Sequence, residues 1–268
     1  MTRHGRITGE LLRLFGFNFD LCPVLDISFD DEADNSLRGR CYGHSAAQVI
    51  ENAAFFNDAL RATGVLSCGK HFPGYSRAPL DAHHELPVIS LSREELEAHE
   101  LKVFRHFAAD VDAMMIGHGL FPGLGAGDLC SSLSQKIIRE LLKEELGFEG
   151  LVITDDLDMG AILNHHGLEE TIRLAITAGN DIAMICHRVE CVEEALKHLQ
   201  AVPAGDLERA QAQVARFKAK LVAPDVWDEA EFLRRDGEVR QLRADTLGEE
   251  AAGQRSPEDG KRSPVEVY

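Results

Sequence analysis

The sequence predicts an α/β fold in which helices cover a parallel sheet. Three observations carry that expectation. Short apolar, β-leaning runs recur along the chain, each is followed by a polar or glycine-bearing loop, and segments of helical period lie between them. Repetition of this kind specifies either a barrel or a doubly wound sheet, and in both the reactive residues gather at the carboxyl ends of the strands.

In chain order, an amphipathic N-terminal stretch leads to a strand expected over Phe19 to Leu25. A helix follows over Ala46 to Ala62, then a strand over Gly64 to Gly69 and a helix over Arg93 to Ala109. The next strand is expected over Ala113 to Gly117, the next helix over Gln135 to Leu146, and a strand over Leu151 to Thr154. Helix Leu168 to Ala178 and strand Asp181 to Cys186 complete the alternation. Ser92-Arg93-Glu94-Glu95 has the spacing of a capping box, and Ser134 is placed to cap the helix that runs to Gly147. Past Leu221 the apolar period weakens. Residues 1–222 are therefore read as the barrel domain, 223–247 as a charged helix, and 248–268, rich in Glu, Gly, Arg, Ser and Pro, as a disordered tail.

The chain has 268 residues, enough for one large barrel-type domain, and 44% of them are hydrophobic. A formal charge of -17 repels phosphate backbones and anionic lipid, which argues against nucleic acid and membrane surfaces as partners. Cys22, Cys41, Cys68, Cys130, Cys186 and Cys191 form no C-x-x-C pair and lie in or beside apolar runs, as reduced core cysteines do. With no apolar secretory region near Met1 and no run of membrane-spanning length, the cytoplasm is the expected compartment.

Chemistry concentrates at two strand ends. The Gly64 strand leads into Lys70-His71-Phe72-Pro73-Gly74, whose two cations can donate to hydroxyls while Pro73 and Gly74 turn the backbone. A loop then carries Asp81-Ala82-His83-His84, in which Asp81 can fix the tautomer of His83 and leave the other ring nitrogen to exchange a proton. An ordinary surface loop with a local hydrogen bond explains the same two residues. The spacing of His71, His83 and His84 matches no metal-ligand pattern. The Leu151 strand ends abruptly in Asp155-Asp156-Leu157-Asp158, and a carboxylate held there can attack an anomeric carbon, bind a metal or cap a helix.

The combination of Lys70-His71-Phe72-Pro73-Gly74, Asp81-x-His83 and the run Gly150 to Asp155 resembles the family 3 glycoside hydrolases, more narrowly their single-domain β-N-acetylglucosaminidases. Phe19 to Asp26, Arg40-Cys41-Tyr42 and Met114 to His118 are similar to further motifs of that family, and the resemblance covers roughly Gly9 to Cys186. It implies a TIM-type (β/α) barrel, incomplete at its N-terminal end. It also implies a two-step retaining hydrolysis in which Asp155 is the nucleophile, His83 the acid/base and Asp81 its orienting partner, with Arg40, Lys70 and His71 holding the sugar. A small carbohydrate is then the substrate, as in muropeptide recycling or chitooligosaccharide breakdown, and no metal or organic cofactor is required.

The family's opening strands and its Asp-x-Glu-Gly-Gly loop have no counterpart here. An upstream start, closure of the barrel edge by a second copy, and a degenerate non-catalytic chain each account for that, and the first is favoured. The competing functional readings are a sugar-binding relative without turnover, a β-glucosidase or glycoside phosphorylase, and a metal-assisted hydrolase using His71, His83 and Asp155.

Overall fold

A computed structural model describes residues 1–30, 36–37 and 39–252 of the chain. Five strands form one sheet: β1 Phe19–Asp20, β2 Leu66–Phe72, β3 Ala113–Ile116, β4 Leu151–Asp156 and β5 Ile182–Met184. They lie in the order β1-β2-β3-β4-β5 with every pairing parallel. A doubly wound sheet reverses its order at a switch point, whereas this sheet adds each strand beside the last, as a barrel does. β1 and β5 are its two edges, so the sheet is an open part of a barrel.

The helices that join the strands are α1 Thr2–Leu14, α2 Ala46–Arg61, α3 Arg93–Ala98, α4 Glu100–Phe107, α5 Gly160–Leu163, α6 Leu168–Ala178, α7 Val192–Leu199 and α8 Ala204–Lys218. A wider π-type helix, Lys136–Glu145, stands between β3 and β4. α9 Glu229–Leu247 and the short α10 Glu249–Ala252 follow. The expectation of a disordered tail thus meets a helical turn at Glu249–Ala252, and the remainder of it, 253–268, lies outside the described residues.

The structure departs from several local expectations. The helix expected over Arg93 to Ala109 is broken at His99, whose φ of -127° and ψ of -84° leave the helical region. The capping box at its start is present in both directions, Ser92 accepting from the Glu95 N–H and Glu95 from the Ser92 N–H. Ser134 makes no side-chain cap; its backbone carbonyl accepts the N–H of Ile138. The first strand is shorter than Phe19 to Leu25 because Pro23 has no N–H to give, although the Leu25 N–H still reaches the Lys70 carbonyl. Of the cysteines, all free, only Cys68 and Cys130 are buried, and Cys186 is exposed.

Strand alternation, with a register shift in β2 between Gly69 and Phe72, divides the core. Phe72, Met114, Ile116 and Val152 pack outward against the helical layer, among them Val49, Phe104 and Ile138. Cys68, Ala113, Met115, Leu151 and Ile153 face inward, and Phe217 of α8 covers them with its ring 4.8 Å from that of Phe19. Gln213 of α8 donates to the Glu149 carbonyl just before β4, which seats this helix under the amino ends of the strands. The opposite, carboxyl end of the inner face is left for polar side chains.

Candidate active site

Lys70 and Asp155 continue the inward-facing positions of β2 and β4, two residues beyond Cys68 and Ile153, and so emerge at the carboxyl end of the sheet. There they line a cavity of about 380 Å³ together with Arg40, His71, His83 and His118. Lys70 and His71 belong to β2 itself, where sequence reasoning placed them just past a strand ending at Gly69.

Asp155 is partly buried. Burial alone would raise its pKa, but the charges of His71 and His118, the Asp156 N–H and the charge of Lys70 outweigh it and hold the carboxyl below the ordinary value of 3.8. Asp155 is therefore an anion at neutral pH, with its Oδ1 accepting the Asp156 N–H at 2.9 Å.

Asp81 Oδ1 lies 2.6 Å from Nδ1 of His83 and accepts the His83 backbone N–H at 3.0 Å. Burial works to raise the Asp81 pKa, and the bonds from the His83 ring and backbone overcome it and lower it. The carboxylate is thus ionised behind an imidazole whose Nδ1–H it accepts, which directs the proton exchange of the ring to Nε2. The loop is held from below as well: the His83 carbonyl accepts the Gly160 N–H at 2.9 Å and the Ala82 carbonyl the Ala161 N–H at 3.1 Å. A Cβ at Gly160 would lie 2.3 Å from the His84 carbonyl oxygen, so glycine is what permits α5 to start against this loop.

Two further aspartate–histidine pairs flank Asp155, and local spacing gave no sign of either. Asp26, fully buried, accepts from the backbone N–H groups of His71 and Tyr75 and lies 2.7 Å from Nδ1 of His71. Asp156 accepts from the N–H groups of Asp158 and Cys186 and lies 2.6 Å from Nδ1 of His187. Asp158 in turn takes the N–H groups of His187 and Arg188 and the Nε of Arg188. Within Asp155-Asp156-Leu157-Asp158, then, the first carboxylate faces the cavity and the other two clasp the loop after β5. Asp156, Asp158 and His187 also bring three oxygen and nitrogen atoms within 4.8 Å of one another, but their carboxylates are already occupied by backbone donors. His118 is buried with Nδ1 2.9 Å from Ser132 Oγ and Nε2 2.9 Å from the Asp156 carbonyl, which fixes its ring beside Asp155.

An ionised carboxylate at a strand end, a carboxylate-backed imidazole in the same cavity, and donors suited to hydroxyls around both are the groups that glycoside hydrolases of the α/β-barrel class draw on. Residues 1–217 match the N-terminal domain of glycosyl hydrolase family 3, and the chain belongs to that family. It is 29% identical over 245 residues to the beta-hexosaminidase of Bordetella parapertussis, covering 91% of this chain and 67% of that protein. Against the beta-hexosaminidase of Vibrio cholerae serotype O1 the identity is 32%, covering 80% of this chain and 63% of that one. The solved family 3 beta-N-acetylglucosaminidase of Paenibacillus sp. str. FPU-7 superposes with a TM-score of 0.81 at 30% identity, over 90% of this chain and 48% of that chain. The beta-N-acetylglucosaminidase of Thermotoga maritima gives a TM-score of 0.71 at 30% identity, over 81% and 47%. The chain thus spans about half the length of these solved relatives. No helix among the described residues is long and apolar enough to cross a membrane.

Proposed function

We propose that the chain forms the catalytic part of a retaining β-N-acetylglucosaminidase, with Asp155 as nucleophile and His83 as acid/base. The observation that carries this reading is the Asp81–His83 pair, 2.6 Å apart, on a loop whose histidine lines the same cavity as Asp155. Arg40, Lys70 and His71 hold the sugar hydroxyls. In the first step an Asp155 oxygen bonds to the anomeric carbon while the glycosidic C–O bond breaks and protonated His83 gives its Nε2 proton to the departing oxygen. In the second, His83 takes a proton from water, the water oxygen bonds to the same carbon, and Asp155 leaves as carboxylate. Asp81 stabilises the imidazolium that precedes the first step and forms again in the second. No step calls for a metal or organic cofactor.

The names of the relatives favour terminal N-acetylglucosamine as the sugar removed, from muropeptides or chitooligosaccharides. Six free thiols favour a reducing compartment such as the cytoplasm. A second copy closing the edges at β1 and β5 belongs to the same reading, and sedimentation analysis tests it. The deciding experiment is hydrolysis of p-nitrophenyl β-N-acetylglucosaminide by the chain, by its Asp155→Ala variant, and by any longer form its gene encodes. Hydrolysis that Asp155→Ala abolishes supports the assignment; near-normal turnover in that variant overturns it. Sugar binding without turnover in every form identifies a binding protein instead.

A further inference from the structure

We propose that Glu100 is a positioning residue for His83: its side chain holds a proton beneath the turn that begins at Gly74, and that turn fixes the loop carrying Asp81 and His83. Glu100 is 1% exposed and neither carboxyl oxygen has a hydrogen-bond partner. The cation facing it, Arg77, stops 3.9 Å away, and its guanidinium lies 4.1 Å over the ring of Phe29. An unpaired carboxylate is expensive in such a place, whereas a neutral carboxyl group is tolerated.

The other charged groups acting on Glu100 come from each side. Asp26 follows β1, Glu95 belongs to α3, and both repel a negative charge there. Burial is the largest influence and pushes the acid up to about 7; the nearby Glu100 backbone N–H, which falls short of hydrogen-bond geometry, and Arg77 oppose it, and Asp26 and Glu95 add to it. Protonated Glu100 therefore suits the observed conformation, and its ionisation favours one in which the turn opens to admit water or a partner.

Contacts lead from Glu100 to His83 without a gap. A Cβ at Gly74, where φ is +126°, would lie 2.6 Å from Cβ and Cγ of Glu100, so the turn rests directly on this side chain. The next residue, Tyr75, gives its N–H to Asp26, donates its hydroxyl to the Leu80 carbonyl at 2.8 Å and accepts the Ala82 N–H at 2.5 Å. Ser76 accepts the Ile27 N–H at 2.8 Å. Ala82 is buried and adjoins His83. Glu100 thus bears on the acid/base loop through Gly74 and Tyr75.

The role of His83 rests on the proposed function, so the test does not rely on turnover. Amide hydrogen exchange of residues 74–83 is followed between about pH 5 and about pH 8, corrected for the intrinsic pH dependence of exchange, in the wild type, Glu100→Gln and Arg77→Met. Wild-type protection is expected to fall by up to about tenfold per pH unit as pH rises from the ordinary 4.5 toward about 7, and to level off above it. Glu100→Gln keeps the low-pH level throughout, although every histidine near the turn remains. Arg77→Met carries the decline on to higher pH because the cation opposing protonation is gone. A flat wild-type profile, or the same fall in Glu100→Gln, overturns the proposal; the expected pattern in a chain without hydrolysis upholds it and removes only the enzymatic reading.

Discussion

Nδ1 of His71 lies 2.7 Å from Oδ2 of Asp26, a residue 45 positions earlier in the chain. The same buried carboxylate takes the N–H groups of His71 and Tyr75, so it fixes both the ring that faces Asp155 and the turn behind it. Replacing Asp26 with Ala leaves these donors buried and unpaired. A loss of about 3 kcal/mol in unfolding free energy is expected, read from urea denaturation.

His71 is also the leading influence that overcomes burial and keeps Asp155 ionised. In His71→Ala, burial acts with less opposition and the Asp155 pKa rises. With the anion as the proposed nucleophile, the acid limb of kcat/KM is expected to move to higher pH, with weaker sugar binding beside it. A pH profile unchanged in position would separate His71 from Asp155.

Gly160→Ala sets a methyl group against the carbonyl oxygens of His84 and His83, at 2.3 and 2.9 Å before relaxation. The loop must shift by a few tenths of an ångström or more. Hydrolysis is expected to fall about 10- to 100-fold while the urea midpoint changes little, since the displacement falls on a loop and not on the core. Steady-state kinetics beside denaturation curves check both halves.

The strand–loop–helix order was legible in the sequence because period and turn residues are local signals, and helix Leu168–Ala178 has the bounds its pattern indicated. The grouping of Arg40, Lys70, His71, His83 and Asp155 around one cavity follows from strand ends facing one way. What the sequence hid depends on contacts between distant residues. Nothing near Asp26 points to His71, nothing near Asp156 points to His187, and the apolar positions of α8 do not say that Phe217 covers the inner face of the sheet. The break at His99 interrupts a helical pattern that reads continuously from Arg93.

Stability should pass through a maximum on the acid side of neutrality. Asp158 is 1% exposed in its side chain; burial works to raise its pKa, but the Arg188 and His187 backbone N–H groups and the Arg188 side chain lower it below 3.8. Its contribution is present above that value and lost as pH falls through the folded pKa. Glu100 acts in the other direction, its folded value of about 7 lying above the ordinary 4.5, so stability declines as pH rises between the two, by about 3 kcal/mol in all. Urea midpoints from about pH 3 to pH 8 test this, and Glu100→Gln should remove the decline on the alkaline side alone.

Treatment with EDTA is expected to leave hydrolysis unchanged. Asp156 and Asp158 spend their oxygens on the N–H groups of Cys186, His187 and Arg188, and a cation would have to displace those bonds. Loss of activity on chelation, restored by zinc, would instead support the metal-assisted reading.

The helices nearest the two ends of the described chain lie side by side. Arg3 of α1 reaches Asp245 of α9 at 2.6 Å, Arg6 reaches Glu238 at 2.5 Å, Arg235 reaches Glu10 at 2.7 Å, and Phe15 rests against Trp227 and Phe232. The ion pairs and the aromatic cluster make a latch between the two helices, and its release would strip the Phe15 ring of both aromatic neighbours.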